Sequence, residues 1–137
     1  MKKIYAILLA TVLLISMAFP AQAAPPDQSA VPMYNYIDSY NVNLSIDKTT
    51  GIASCSASCY TSSDNTVEIE YRLQRYMGSY WGTVKSWTSS ATTYASINKS
   101  WAVYSGYTYR GYATYRVYNS AGTLLETGSA TKTYSYY

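Results

Sequence analysis

The stretch from Tyr107 to Tyr118 constrains this chain more than any other. Its odd positions carry Tyr107, Tyr109, Gly111, Ala113, Tyr115 and Val117, and its even positions carry Thr108, Arg110, Tyr112, Thr114, Arg116 and Tyr118. All the charge falls on one side and the small and aliphatic residues on the other. A period of two is what a half-buried antiparallel strand requires, because successive side chains point to opposite faces. A long central strand with aromatic rings on both sides is therefore predicted here.

The same period recurs along the chain. Val67, Ile69, Tyr71 and Leu73 alternate with Glu68, Glu70, Arg72 and Gln74, a strand with an apolar inner face. Met77-Gly78-Ser79-Tyr80 predicts a tight hairpin with Gly78-Ser79 as its two-residue loop. Carried forward without interruption, that register pairs Tyr76 with Trp81, Gln74 with Thr83, Arg72 with Lys85 and Glu70 with Trp87 on the outer face. It pairs Leu73 with Val84 and Tyr71 with Ser86 on the inner one. Further strands are predicted over 40–46, 52–60, 93–101 and 123–134, separated by turn residues such as Asp47 to Gly51 and Asn119 to Gly122. Seven short strands without helical periodicity predict an all-β fold, a seven-stranded antiparallel β-sandwich.

The N-terminal segment stands outside that pattern. Met1-Lys2-Lys3 is basic, Ile4 to Phe19 is almost continuously apolar, and Ala21-Gln22-Ala23 offers small residues for cleavage. This predicts a signal peptide over 1–23 cut after Ala23, with secretion as the expected localisation. The apolar run falls short of the about 20 residues of a spanning helix, so no membrane attachment is expected after cleavage. Pro25, Pro26 and Pro32 among small polar residues predict an extended, flexible leader over 24–38, with the sandwich over 39–137. Lys2 and Lys3 leave with the signal, so the whole chain's ten basic and seven acidic residues become eight against seven. Near-neutral charge gives no broad attraction to a phosphate backbone, and nucleic acid is not an expected partner.

Cys55 and Cys59 lie four positions apart. On one strand that separation is about 13 Å, against the roughly 7 Å between Cα atoms that a disulfide tolerates. Two buried free thiols are expected, with a bridge through a turn at Ser56-Ala57-Ser58 or pairing between chains as the alternatives. The chain has no histidine. That removes Ser-His-Asp and Cys-His nucleophilic sites and most zinc arrangements, so neither metal nor cofactor is expected. Glu68 and Glu70 share a face about 6.6 Å apart, a spacing glycosidases use. Two glutamates at i and i+2 on a polar strand face read more simply as a solvated surface. A non-enzyme is expected. Asn43-Leu44-Ser45 and Asn98-Lys99-Ser100 are acceptor sequences for N-glycosylation where the source performs it.

Gly106-Tyr107-Thr108-Tyr109-Arg110, with Trp101 six residues before Tyr107, resembles the loop and sixth strand of fibronectin type III domains. The resemblance implies a fibronectin type III-like or immunoglobulin-like sandwich in which Tyr107 forms a corner, its hydroxyl bonding back to the preceding loop. Gly111 stands where that family has a bulky inward residue and leaves room for a neighbouring ring or a bulge. The family's tryptophan on the second strand is absent, which marks a divergent member. More broadly, Leu73-Gln74-Arg75-Tyr76, Gly82 to Trp87 and Gly106 to Arg110 resemble a group of small secreted proteins of Gram-positive bacteria, over roughly residues 40 to 134. That resemblance implies fold and export, and no activity.

In such an arrangement the third, fourth, sixth and seventh strands form one sheet, with the third beside the sixth. Its outward side is expected to gather Trp87, Trp81, Tyr76, Tyr112 and Tyr118 with Arg72, Lys85, Arg110 and Arg116, with Trp87 the leading residue. Rings beside cations can stack on sugars or anchor a partner protein; the same pairs also stiffen a sheet. The expected function is a secreted, non-catalytic binding domain for cell-wall glycan or a secreted or surface protein. Alternatives are a secreted, tyrosine-rich structural protein that self-associates by edge pairing, and a bacteriocin-like antagonist.

Overall fold

The alternating stretches form seven antiparallel strands, β1 (Ser39–Asp47), β2 (Ile52–Tyr60), β3 (Thr66–Tyr76), β4 (Trp81–Thr92), β5 (Tyr94–Ala102), β6 (Tyr107–Tyr118) and β7 (Leu124–Tyr136). They come from a computed structural model that describes residues 33–137. The expected signal peptide and the leader as far as residue 32 lie outside the described residues. Two sheets form, ordered β1-β2-β5 and β4-β3-β6-β7, and between them lies the apolar core of a β-sandwich. β3 lies beside β6, as expected, with Tyr71 opposite Ala113 and Leu73 opposite Gly111.

The core follows from a size match across the sandwich. β2 turns Ala53, Cys55, Ala57 and Cys59 inward, all buried. Those small side chains leave depth for the rings of Tyr71 and Tyr115, which come from the opposite sheet and are fully buried. A buried phenol needs a hydrogen-bond partner. Tyr71 Oη donates to the Asn43 carbonyl at 2.9 Å and Tyr115 Oη to the Asn41 carbonyl at 2.6 Å. Both acceptors lie on β1, an edge strand. Gly111 makes the room: a Cβ there would lie 2.0 Å from Tyr71 Oη and 2.6 Å from Cζ. The space expected at Gly111 is thus filled by a ring.

The hairpin turns at Gly78-Ser79, with Met77 N–H donating to the Tyr80 carbonyl at 2.8 Å and Gly78 at a φ of 94°. A positive φ at the first loop position suits a type II′ turn, where glycine is unstrained. The register matches expectation at Tyr76–Trp81 and Gln74–Thr83 and then departs from it. A bulge inserts Val84, so Leu73 pairs with Lys85, Arg72 with Ser86 and Tyr71 with Trp87. One extra residue flips every later side chain to the other face. Lys85 and Trp87 therefore lie on the inward side of β4, contrary to the uninterrupted alternation.

Two further differences concern the ends of the sandwich. The hydroxyl that bonds back to the preceding loop is that of Tyr109, not Tyr107. Tyr109 is 1% exposed, and its hydroxyl donates to the Tyr104 carbonyl at 2.8 Å and accepts from Tyr104 N–H at 3.1 Å. Tyr107 is 39% exposed and lies under the Arg75 guanidinium, 4.4 Å from its ring centroid. Residues 34–38, expected in the flexible leader, make contacts with the domain, while Met33 is exposed. Glu126 accepts Asn35 N–H at 2.7 Å and the N–H groups of Tyr36 and Ile37 at 2.8 Å. Tyr34 lies against Gly128, where a Cβ would come within 2.6 Å of its hydroxyl. Ile37 is buried, and Asp38 accepts Ser62 N–H.

Gly111→Ala is expected to cost about 1–3 kcal/mol by overpacking against Tyr71. In urea titrations the double variant with Tyr71→Leu should cost less than the sum of the two singles, by about 1 kcal/mol or more. Strict additivity would mean that the ring is not what the missing Cβ accommodates.

Candidate functional site

The residues expected on one surface fall into three groups. The first is a continuous row on the outward side of the four-stranded sheet. It begins with Tyr76 on β3 against Trp81 on β4, ring centroids 5.2 Å apart. The Arg110 guanidinium lies over Trp81 at 4.4 Å and near Tyr112 at 5.3 Å, and the Arg72 guanidinium lies over Tyr112 at 5.0 Å. Register explains the row: Arg72 pairs with Tyr112 and Gln74 with Arg110 across β3 and β6. Gln74, nearly buried, accepts Arg110 Nε–H at 2.8 Å and donates to Thr83 Oγ1 at 3.2 Å, fixing the guanidinium between the rings.

The second group is acid–base. Arg116 lies 3.1 Å from Glu68 and 3.7 Å from Glu70, and Arg72 Nε lies 3.4 Å from Glu70 Oε1. The last contact is ionic without hydrogen-bond alignment, since Arg72 Nε has no hydrogen-bond partner. These groups are about one-third exposed, where such pairs contribute roughly 0–1 kcal/mol. Glu68 and Glu70 are thus engaged by arginine on a solvated face. Tyr118 sits at the far end of β6, opposite Thr66 and Leu124. Among the described residues the ion pairs involve Arg72 and Arg116, whereas Arg110 has aromatic and amide neighbours and no carboxylate.

Lys85 and Trp87 form the third group and do not join the row. Trp87 packs on the core, 6.1 Å from the Tyr71 ring and edge-on to Trp101 at 6.4 Å. Lys85 Nζ lies 4.7 Å over the Trp101 ring. They close the seam between β4 and β5. Trp87, the leading residue by sequence, is a packing residue because of the Val84 bulge. Sequence reasoning missed Gln74 as the clamp of Arg110, although its place on the outer face was readable from the alternation. The Lys85–Trp101 and Arg75–Tyr107 pairs had no local signal, since each joins elements distant in sequence.

The arrangement holds a guanidinium flanked by rings. Among the described residues no cluster of three or more Cys, Asp or Glu side chains comes together to hold a metal ion. The thiols of Cys55 and Cys59 are buried and unbridged. Burial pushes both up from the ordinary 9.0 to about 11, which keeps them protonated and poorly nucleophilic at neutral pH. Burial likewise raises Tyr71 and Tyr115 above the ordinary 10.0.

A raised folded-state pKa binds protons more tightly in the folded chain. The thiol contribution to stability is therefore whole below about pH 9 and lost as pH rises through about 11. From neutral pH upward, unfolding midpoints should be flat until that window and fall within it, less steeply in the Cys55→Ala/Cys59→Ala variant. A thiol reagent at pH 8 should label neither cysteine in the native protein and both in urea; fast native labelling would contradict the burial. Comparison with protein-family models, curated proteins and solved structures found no match to this chain.

Proposed function

We propose that the chain is a secreted, non-catalytic binding domain for an acidic cell-surface polymer, engaged by the Tyr76–Trp81–Arg110–Tyr112 row. The observation that carries this reading is the Arg110 guanidinium, held between two rings and by Gln74 with no carboxylate paired to it among the described residues. Gln74 takes Nε–H and leaves the terminal nitrogens, the fork that suits a carboxylate or phosphate. Flanking rings supply apolar faces for sugars. The row runs across three strands, about 4.8 Å apart each, which favours an extended polymer over a small molecule. The strand order and the Tyr109 corner support a fibronectin type III-like form of the sandwich, with Tyr109 in the role expected of Tyr107. The basic and apolar start of the sequence supports export.

Calorimetry with oligogalacturonate as the carboxylate probe and poly(glycerol phosphate) as the phosphate probe tests the site. Arg110→Ala and Trp81→Ala should each weaken binding about thirtyfold, the effect of losing roughly 2 kcal/mol at an anchor, with native circular dichroism. Binding should weaken as salt rises. Trp87→Ala should leave affinity within about twofold yet cost about 2 kcal/mol of stability, as a half-buried ring does. Affinity that survives both Arg110→Ala and Trp81→Ala would rule out this face.

A further inference from the structure

The outward side of the three-stranded sheet has the opposite chemistry. Its central rows are Asn41–Ser58–Ser96 and Asn43–Ser56–Asn98, read across β1, β2 and β5, and they carry no charge. Ser56 and Ser58 are half-buried while their neighbours on β1 and β5 are exposed, so the serines form the floor of a trough. The part lined by Asn41, Ser56, Ser58, Tyr94, Ser96 and Asn98 has a volume of about 360 Å³. At one end stand Tyr60 and Tyr94, paired across β2 and β5 and 40% and 52% exposed. Asparagine is depleted from strands, yet three stand on this face. Such breaches of local preference are expected where a surface does something other than fold.

We infer that this trough is a second binding site, for a neutral polysaccharide chain. Three properties identify the occupant. Hydroxyls and amides, each able to donate and accept, match sugar hydroxyls. The absence of charge across both rows disfavours an ionic partner, which would leave its charge unpaired in the contact. The rows repeat about every 6.6 Å along the strands, giving a linear ligand successive equivalent contacts and ending at rings on which a sugar face can lie. The inference is independent of the acidic-polymer site, which lies on the other sheet.

The test is NMR titration of the full mature chain, made in a host without N-glycosylation because Asn43 and Asn98 lie in acceptor sequences. Probes are cellohexaose, maltohexaose and mannohexaose. At least one should shift the amides of Ser56, Ser58 and Asn98 while leaving those of Arg110 and Tyr112 unmoved. Affinity should be unchanged by added salt, unlike that of the acidic polymer. Tyr94→Ala and Ser56→Trp, which fills the floor, should each weaken binding about tenfold or more, with native circular dichroism and an unchanged urea midpoint as the controls for folding. No shifts with any of the three probes, or shifts confined to the Arg110 face, would overturn the proposal. Concentration-dependent shifts of the trough without sugar, with dimers in sedimentation, would overturn it in favour of a second copy.

Discussion

The rest of the structure depends on two buried phenols. Tyr71 and Tyr115 cross the core from one sheet and hydrogen-bond the Asn43 and Asn41 carbonyls of the other. A buried hydroxyl left unpaired costs roughly 1–3 kcal/mol, so the two bonds fix both the depth of the sandwich and the place of β1. They also dictate composition on every side. β2 must be small inside, which is why Ala and Cys occupy its inward positions. Gly111 and Ala113 must stand beneath Tyr71 on β6. The cysteines fit here as small apolar residues, and their raised thiol pKa follows from that same burial.

A single extra residue in β4 decides which side chains of the strand face outward. Up to Thr83 the strand presents Trp81 outward, beside Arg110. Beyond Val84 it presents Trp87 and Lys85 inward, against Tyr71 and Trp101. The bulge thus divides the tryptophans of the hairpin between a packing role and a surface role. Trp81, with Gln74 beneath the guanidinium, is left as one wall of the Arg110 site.

Much of this was legible in the sequence because strand alternation is a strict local rule. The inward residues of β3, the seven strands and the spacing that disfavours a Cys55–Cys59 bridge followed from it, and the Gly78-Ser79 turn from turn chemistry, whereas the room at Gly111 came from the resemblance to fibronectin type III domains. The bulge did not, because Val84 and Lys85 suit either face and nothing in Gly82 to Trp87 marks the extra residue. Tyr107 and Tyr109 share one parity, so alternation could not choose between them; only the path of the loop brings Tyr109 to Tyr104. The clamp of Glu126 on residues 35–37 joins positions about ninety apart and leaves no local trace. The Ser and Asn trough was present residue by residue but became a surface only when three strands were placed side by side.

The sandwich thus offers an aromatic and cationic row on one sheet and an uncharged hydroxyl and amide trough on the other. The bulge leaves Trp81, and not Trp87, on the outward face with Arg110, where we propose that an acidic polymer binds. The most direct measurement follows the indole N–H signals of the three tryptophans while oligogalacturonate or poly(glycerol phosphate) is added. The Trp81 signal is expected to move with the Arg110 side-chain Nε–H signal while that of Trp87 stays in place. Movement of Trp87 with Trp81 unmoved would contradict the account.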